Sequence, residues 1–103
     1  DGAFDIGFSL THLLSKAGHV AGHKQAFLEA AQLYWRTYLQ HVPLGADWEK
    51  RAVRHTLACM LARVRGKSPL EYLTVEQQRN QEAWCLQGMA DAPATILELI
   101  ATR

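Results

Sequence analysis

Between Ile6 and Ser15 the chain carries no Lys, Arg, Asp or Glu. The surrounding stretch, DGAFDIGFSLTHLLSKA, is apolar on two sides when wound as a helix. Ile6, Leu10, Leu13, Leu14 and Ala17 fall on one stripe, and Phe4 and Phe8 point roughly the other way. A helix with apolar residues on two sides is normally buried between other elements. Asp1 to Ala17 therefore predicts a central helix around which the rest of the chain packs. A core helix at residue one also predicts that the chain is a piece of something longer.

The remaining segments read as helices too. Gly18, in GHVAG, is a plausible C-terminal cap for the first helix. From about His23 to Val42, Phe27, Leu28, Ala31, Tyr34, Trp35, Tyr38, Leu39 and Val42 form a wide apolar stripe, and Pro43 and Gly45 end it. Asp47 is a suitable N-cap for a third helix, Trp48 to Arg65, whose buried face is Val53, Leu57, Met60, Leu61 and Val64. Ser68-Pro69-Leu70-Glu71 has capping-box spacing with Pro at the first helical position, which predicts one helical turn through Tyr72. Thr74 to Gln77 repeats that logic and opens a fourth helix to about Met89, whose first half, EQQRNQ, reads as polar all round and exposed. Asp91 and Pro93 introduce a last short helix carrying Ile96, Leu97, Leu99 and Ile100. Period-two alternation bounded by turn residues is absent. The expected class is all-α, about five helices and a short helical turn, in one helical domain over residues 1–103.

Composition sets the outer limits. Of 103 residues, 49% are hydrophobic and 20% charged, enough for a core and unlike a disordered chain. A net charge of +1 gives no field that would draw nucleic acid or a membrane surface, and neither is expected as a partner. No apolar run reaches the ~20 residues of a membrane-spanning helix. The two cysteines, Cys59 and Cys85, sit inside helical patterns with apolar neighbours, which fits reduced thiols of a cytoplasmic protein.

Few groupings suggest chemistry. His19 and His23 have the one-turn spacing of a helical metal pair, but the glycines beside them interrupt a helix and no third ligand follows in the HExxH manner. No metal site and no catalytic residue is assigned. Six of the eleven basic residues, Lys50, Arg51, Arg54, Arg63, Arg65 and Lys67, gather on and just beyond the third helix. Arg63, Arg65 and Lys67 are the candidate anion site; the plainer reading is a solvated helix face with cations suited to its C-terminal end. Gly66-Lys67-Ser68 lacks the upstream glycine and strand of a phosphate-binding loop. Tyr34, Trp35 and Tyr38 have the spacing of core aromatics on an amphipathic helix rather than of a ligand pocket.

Two stretches resemble one family. GAFDIGFSLTHLLSKA is similar to the "GDPxFDLAF" segment that opens a central helix in aminoglycoside phosphotransferase-like kinases. ARVRGKSPLEYL is similar to the "ARVDGKSPVEYL" stretch near the C-terminus of some members, and the order of the two fits. Gly2 stands where Pro is usual, and Arg65 where an acidic residue is common. The resemblance implies the helical part of a kinase-like C-terminal lobe, from an enzyme that moves the γ-phosphoryl of ATP, with Mg, to a hydroxyl of a small molecule. It matches Asp5 to the aspartate that begins the central helix and helps hold the catalytic loop, a structural anchor. That loop, the metal-binding Asp and the nucleotide-binding lobe precede the matched segment in the family and are not in this chain. The resemblance therefore implies no catalysis and no cofactor here. The expected partner is the missing N-terminal part of the kinase or a second copy, in a homo-oligomer, docked around Phe4 and Phe8. The competing expectation is a stand-alone helical interaction or oligomerisation module.

Overall fold

The computed structural model describes residues 2–20, 22–41, 45–65 and 73–103, apart from the side chains of residues 2–5 and 41. Five helices occupy the described residues: α1 (Gly2–His19), α2 (Lys24–His41), α3 (Ala46–Arg65), α4 (Val75–Ala90) and α5 (Ile96–Ala101). No strand occurs among the described residues, and the all-α reading is correct. The short turn expected at Ser68 to Tyr72 lies outside the described residues.

α1 packs against α2, α3 and α4, and its most extensive partner is α3. α3 in turn meets α4 and α5, so α1 and α3 share the centre. Ile6, Leu10 and Leu14 of α1 are fully buried with Ala31 and Trp35 of α2, Val53, Leu57 and Met60 of α3, Cys85 of α4, and Ile96, Leu99 and Ile100 of α5. The radius of gyration, 12.9 Å, is what one packed domain of this length requires (~13 Å).

The expected stripe on α1 is buried, with Leu13 only partly covered, and Phe8 is 47% exposed. A second buried row was not anticipated: Gly7, Thr11 and Ser15, one turn apart. A Cβ on Gly7 would sit 3.0 Å from the backbone carbon of His55 and from the backbone nitrogen of Thr56. The two helices thus approach closely because Gly7 has no side chain. Thr11 and Thr56 are tolerated in the crossing because each hydroxyl donates back to its own helix, to the Gly7 carbonyl at 2.7 Å and the Ala52 carbonyl at 2.8 Å.

Three local expectations need correction. α1 continues through Gly18 to His19, and the left-handed residue of the connection is Gly22, at φ +84°. α3 begins before Asp47: the Gly45 carbonyl accepts from the Glu49 N–H at 3.1 Å, so Asp47 lies within the first turn. The first half of α4 is not exposed all round, because Gln81 is completely buried. Its start is as expected, with Thr74 and Gln77 forming a reciprocal capping box. α5 is capped by Thr95, whose hydroxyl accepts from Glu98 N–H at 3.1 Å, and by Glu49 of α3, whose carboxylate accepts from Ile96 N–H at 2.7 Å.

Candidate functional site

The residues singled out from sequence do not converge. Arg65 is engaged with Glu82 at 2.8 Å on the surface between α3 and α4. This hydrogen bond raises the Arg65 pKa and holds the Glu82 carboxyl below its usual range. The Arg63 guanidinium carbon lies 6.0 Å from the centre of the Phe8 ring. Phe8 also meets the His12 ring edge-on, with centroids 5.2 Å apart. Lys67 and the side chain of Asp5 lie outside the described residues.

The aromatic residues of α2 divide between core and surface. Trp35 is buried and stacks with Tyr38 and with Trp48 of α3, centroids 6.2 Å apart in both pairs. Tyr34 and Tyr38 instead border a shallow apolar groove of about 430 Å³ with Ala30, Leu33 and Thr37. Burial pushes the Cys85 thiol up to about 12, so it is protonated at neutral pH and is a packing residue, not a nucleophile.

The most organised polar arrangement lies where the ends of α1 and α5 meet α4. Arg103, just past α5, donates from Nε to the Leu14 carbonyl at 2.9 Å and from Nη2 to Gln81 Oε1 at 3.3 Å. Its guanidinium carbon sits 5.1 Å from the centre of the Trp84 ring, a cation–π contact. Burial lowers its pKa, although a guanidinium remains charged across the physiological range. Gln81 completes its own pairing by donating to the Met60 carbonyl at 3.0 Å, so one buried amide joins α3 and α4 to Arg103.

A second amide extends this arrangement outward. Gln77 donates to the His19 carbonyl at 3.0 Å, and its Oε1 lies 2.8 Å from His19 Nδ1. Since that oxygen only accepts, Nδ1 is the donor. Beside these groups opens a cavity of about 390 Å³, bordered by Gly18, His19, Lys24, Gln77, Asn80 and Arg103, among others. No Asp or Glu side chain lines it among the described residues.

Gly18, His19 and Gln77 stand out in the sequence, but their arrangement with Lys24, Asn80, Gln81 and Arg103 does not. Arg103 looks like an ordinary solvated cation, and Lys24 and Asn80 belong to no motif. Gln81 had a usable signal: it lies one turn from both Gln77 and Cys85, in line with the buried face of α4. His19 and His23 do not form a metal pair, because His19 is bonded to Gln77 while His23 is exposed. Among the described residues no three His, Cys, Asp or Glu are grouped to hold a metal ion. No helix of the described residues is long and apolar enough to cross a membrane. Neither a protein family, nor a curated protein, nor a solved structure matches the chain.

Proposed function

We propose that the chain is the C-terminal helical part of an aminoglycoside phosphotransferase-like kinase, a scaffold that is not catalytic alone. The reading rests on the likeness of GAFDIGFSLTHLLSKA and ARVRGKSPLEYL to that family. The observation in its favour is the position of α1, which packs against α2, α3 and α4, as expected of a lobe's central helix, and leaves Phe8 half exposed. In this reading the Phe8 face, with His12 and Arg63 beside it, meets the part of the kinase that carries the catalytic loop. Mg and ATP belong to that part. The catalytic loop and metal-binding motif that phosphoryl transfer needs belong, in this reading, to that part as well.

The test is the reading frame upstream of Asp1, followed by expression of the extended protein. The expected frame holds an HGD followed within about five residues by Asn, then an Asp-containing metal motif. The extended protein is expected to transfer phosphate from ATP to a small hydroxyl compound, and residues 1–103 alone to turn over none. A start codon next to Asp1, or turnover by residues 1–103 alone, overturns the reading. The second reading is a stand-alone helical oligomer in which a second copy of the chain covers the half-exposed Phe8. Sedimentation of the chain at high concentration decides it: a dimer supports self-association through this face, and a monomer excludes it.

A further inference from the structure

We propose that the outward face of α2 pairs, antiparallel, with the same face of a second copy of the chain. α2 packs on α1 and α5 through its inner side, where Ala31 and Trp35 are buried. Its outer side is apolar as well. Leu33, 68% exposed, is the most exposed large apolar side chain among the described residues. It stands with Ala30, Tyr34 and Thr37 along the apolar groove of about 430 Å³. A lone exposed leucine needs no explanation, but a helix with apolar residues on two sides normally has a neighbour on each.

The spacing of the outer face fits another helix. Ala26, Ala30, Leu33 and Thr37 recur at alternating intervals of four and three, the spacing by which one helix seats its side chains between those of another. Run antiparallel, two such helices place Leu33 of one copy opposite Ala30 of the other, and Thr37 opposite Ala26. Large meets small in the central layers, so the backbones can lie close. The aromatic rings of Phe27 and Tyr34, half-buried within one chain, fall opposite each other along one edge of the same pairing.

Charge selects a second copy as the occupant and fixes its direction. Between Gln25 and Gln40 the only charged residues are Glu29 and Arg36, one of each sign and both exposed. They are seven residues apart, which puts them on the same edge of the apolar stripe but ~10.5 Å from each other along the axis, too far to pair within one helix. In the antiparallel register set by Ala30 and Leu33, that edge meets its own copy. Glu29 of each chain then faces Arg36 of the other, twice across the two-fold axis. A parallel pair would instead set Glu29 opposite Tyr34. The Glu29 carboxylate accepts from the Gln25 amide at 3.5 Å, a long contact that a guanidinium would displace. Such self-complementarity is what an isologous dimer requires. With one 18-residue helix from each copy, the contact lies at the small end of specific interfaces, and a dissociation constant of about 100 μM is expected. The inference does not rest on the kinase reading, because α2 lies outside both stretches that carry the family likeness.

The test is sedimentation equilibrium of the chain and its variants from about 10 μM to about 1 mM at low ionic strength. The unmodified chain is expected to pass from monomer to dimer over this range. Glu29→Arg and Arg36→Glu each bring like charges together twice, and each is expected to weaken the dimer about tenfold. An equimolar mixture of these two variants is expected to dimerise as strongly as the unmodified chain, because every pair is then opposite in sign. Leu33→Ser is expected to weaken the dimer by more than about tenfold while the chain keeps its helical circular dichroism. Phe8→Ser, on α1, is expected to leave the dimer intact, which separates this interface from one formed through Phe8. A chain that stays monomeric to about 1 mM overturns the proposal and leaves the groove to a different occupant. A mixture of the charge variants no stronger than its components, or a dimer lost in Phe8→Ser but kept in Leu33→Ser, overturns the α2 interface.

Discussion

The N-terminal half of α1 lies against α3 through small residues, whereas its C-terminal half is tied to α4 and Arg103 by hydrogen bonds. At the first contact the backbones come close because Gly7 has no side chain and because Thr11 and Thr56 satisfy their own hydroxyls. At the second, the Leu14 carbonyl, Gln77, Gln81 and Arg103 form a chain of polar groups that crosses helices. Shape decides the first contact, and pairing decides the second. A close-packed crossing is sensitive to added volume, while a polar network is sensitive to the loss of one member.

The largest effect is therefore expected from Gly7→Val. The new methyls would be driven into the backbone at His55 and Thr56, which belongs to a helix and cannot move as a side-chain tip can. A loss of about 3 kcal/mol is expected in urea unfolding, the upper part of the usual overpacking range. If the urea midpoint is unchanged, the helices are not in close contact there.

Arg103→Met tests the other half. It keeps a long apolar stem but leaves Gln81 Oε1 buried and without its donor, at an expected cost of about 2 kcal/mol. Gln81→Leu alone should cost a similar amount, because it removes the side-chain donor to the Met60 carbonyl and the acceptor of Arg103 Nη2. The double variant should be less destabilised than the two single losses added, with a coupling of about 1 kcal/mol. Strict additivity would mean that the two side chains do not act as one network.

Ser15 sits between these regimes. It is the last member of the small row on α1, and its buried Oγ has no hydrogen-bond partner among the described residues. Ser15→Ala removes an unpaired buried hydroxyl and substitutes a better helix former, so stability should rise, by about 1 kcal/mol. A loss of stability would show that the hydroxyl is satisfied in solution.

The same contrast explains what was legible in the sequence. The apolar stripe of α1, the capping box of α4 and the all-α class follow from periodicity and local hydrogen bonding, which neighbouring residues specify among themselves. Gly7, Thr11 and Ser15 escaped because small and weakly polar residues carry little hydropathy signal, though together they set the distance between two helices. Gln81 and Arg103 escaped because a polar side chain reads as exposed unless its buried partner is known, and those partners lie on other helices. The candidate anion site failed to converge for a related reason. Arg63 and Arg65 are neighbours along α3 but face different surroundings, Phe8 in one case and Glu82 in the other. The cations that do border one cavity, Lys24 and Arg103, lie far apart in sequence, and only tertiary packing brings them together.

The smallest expected effect sharpens the comparison further, because it concerns the same two helices one residue away from the buried amide. Gln81 links α4 to α3 inside the protein, and Glu82 links them on the surface through Arg65. Both contacts are polar and both have good geometry, so geometry alone cannot rank them. Water separates them: the exposed ions exchange one hydrated state for another, and salt screens their attraction. Glu82 holds its proton less tightly when folded than when unfolded, so any stability it contributes is present above the ordinary carboxylate value and fades as pH falls. Arg65→Gln is accordingly expected to leave the urea midpoint at neutral pH unresolved from that of the unmodified chain, and to flatten its decline in acid only slightly. A destabilisation comparable to that of Gln81→Leu would place the surface pair, not the buried amide, as the main polar tie between α3 and α4.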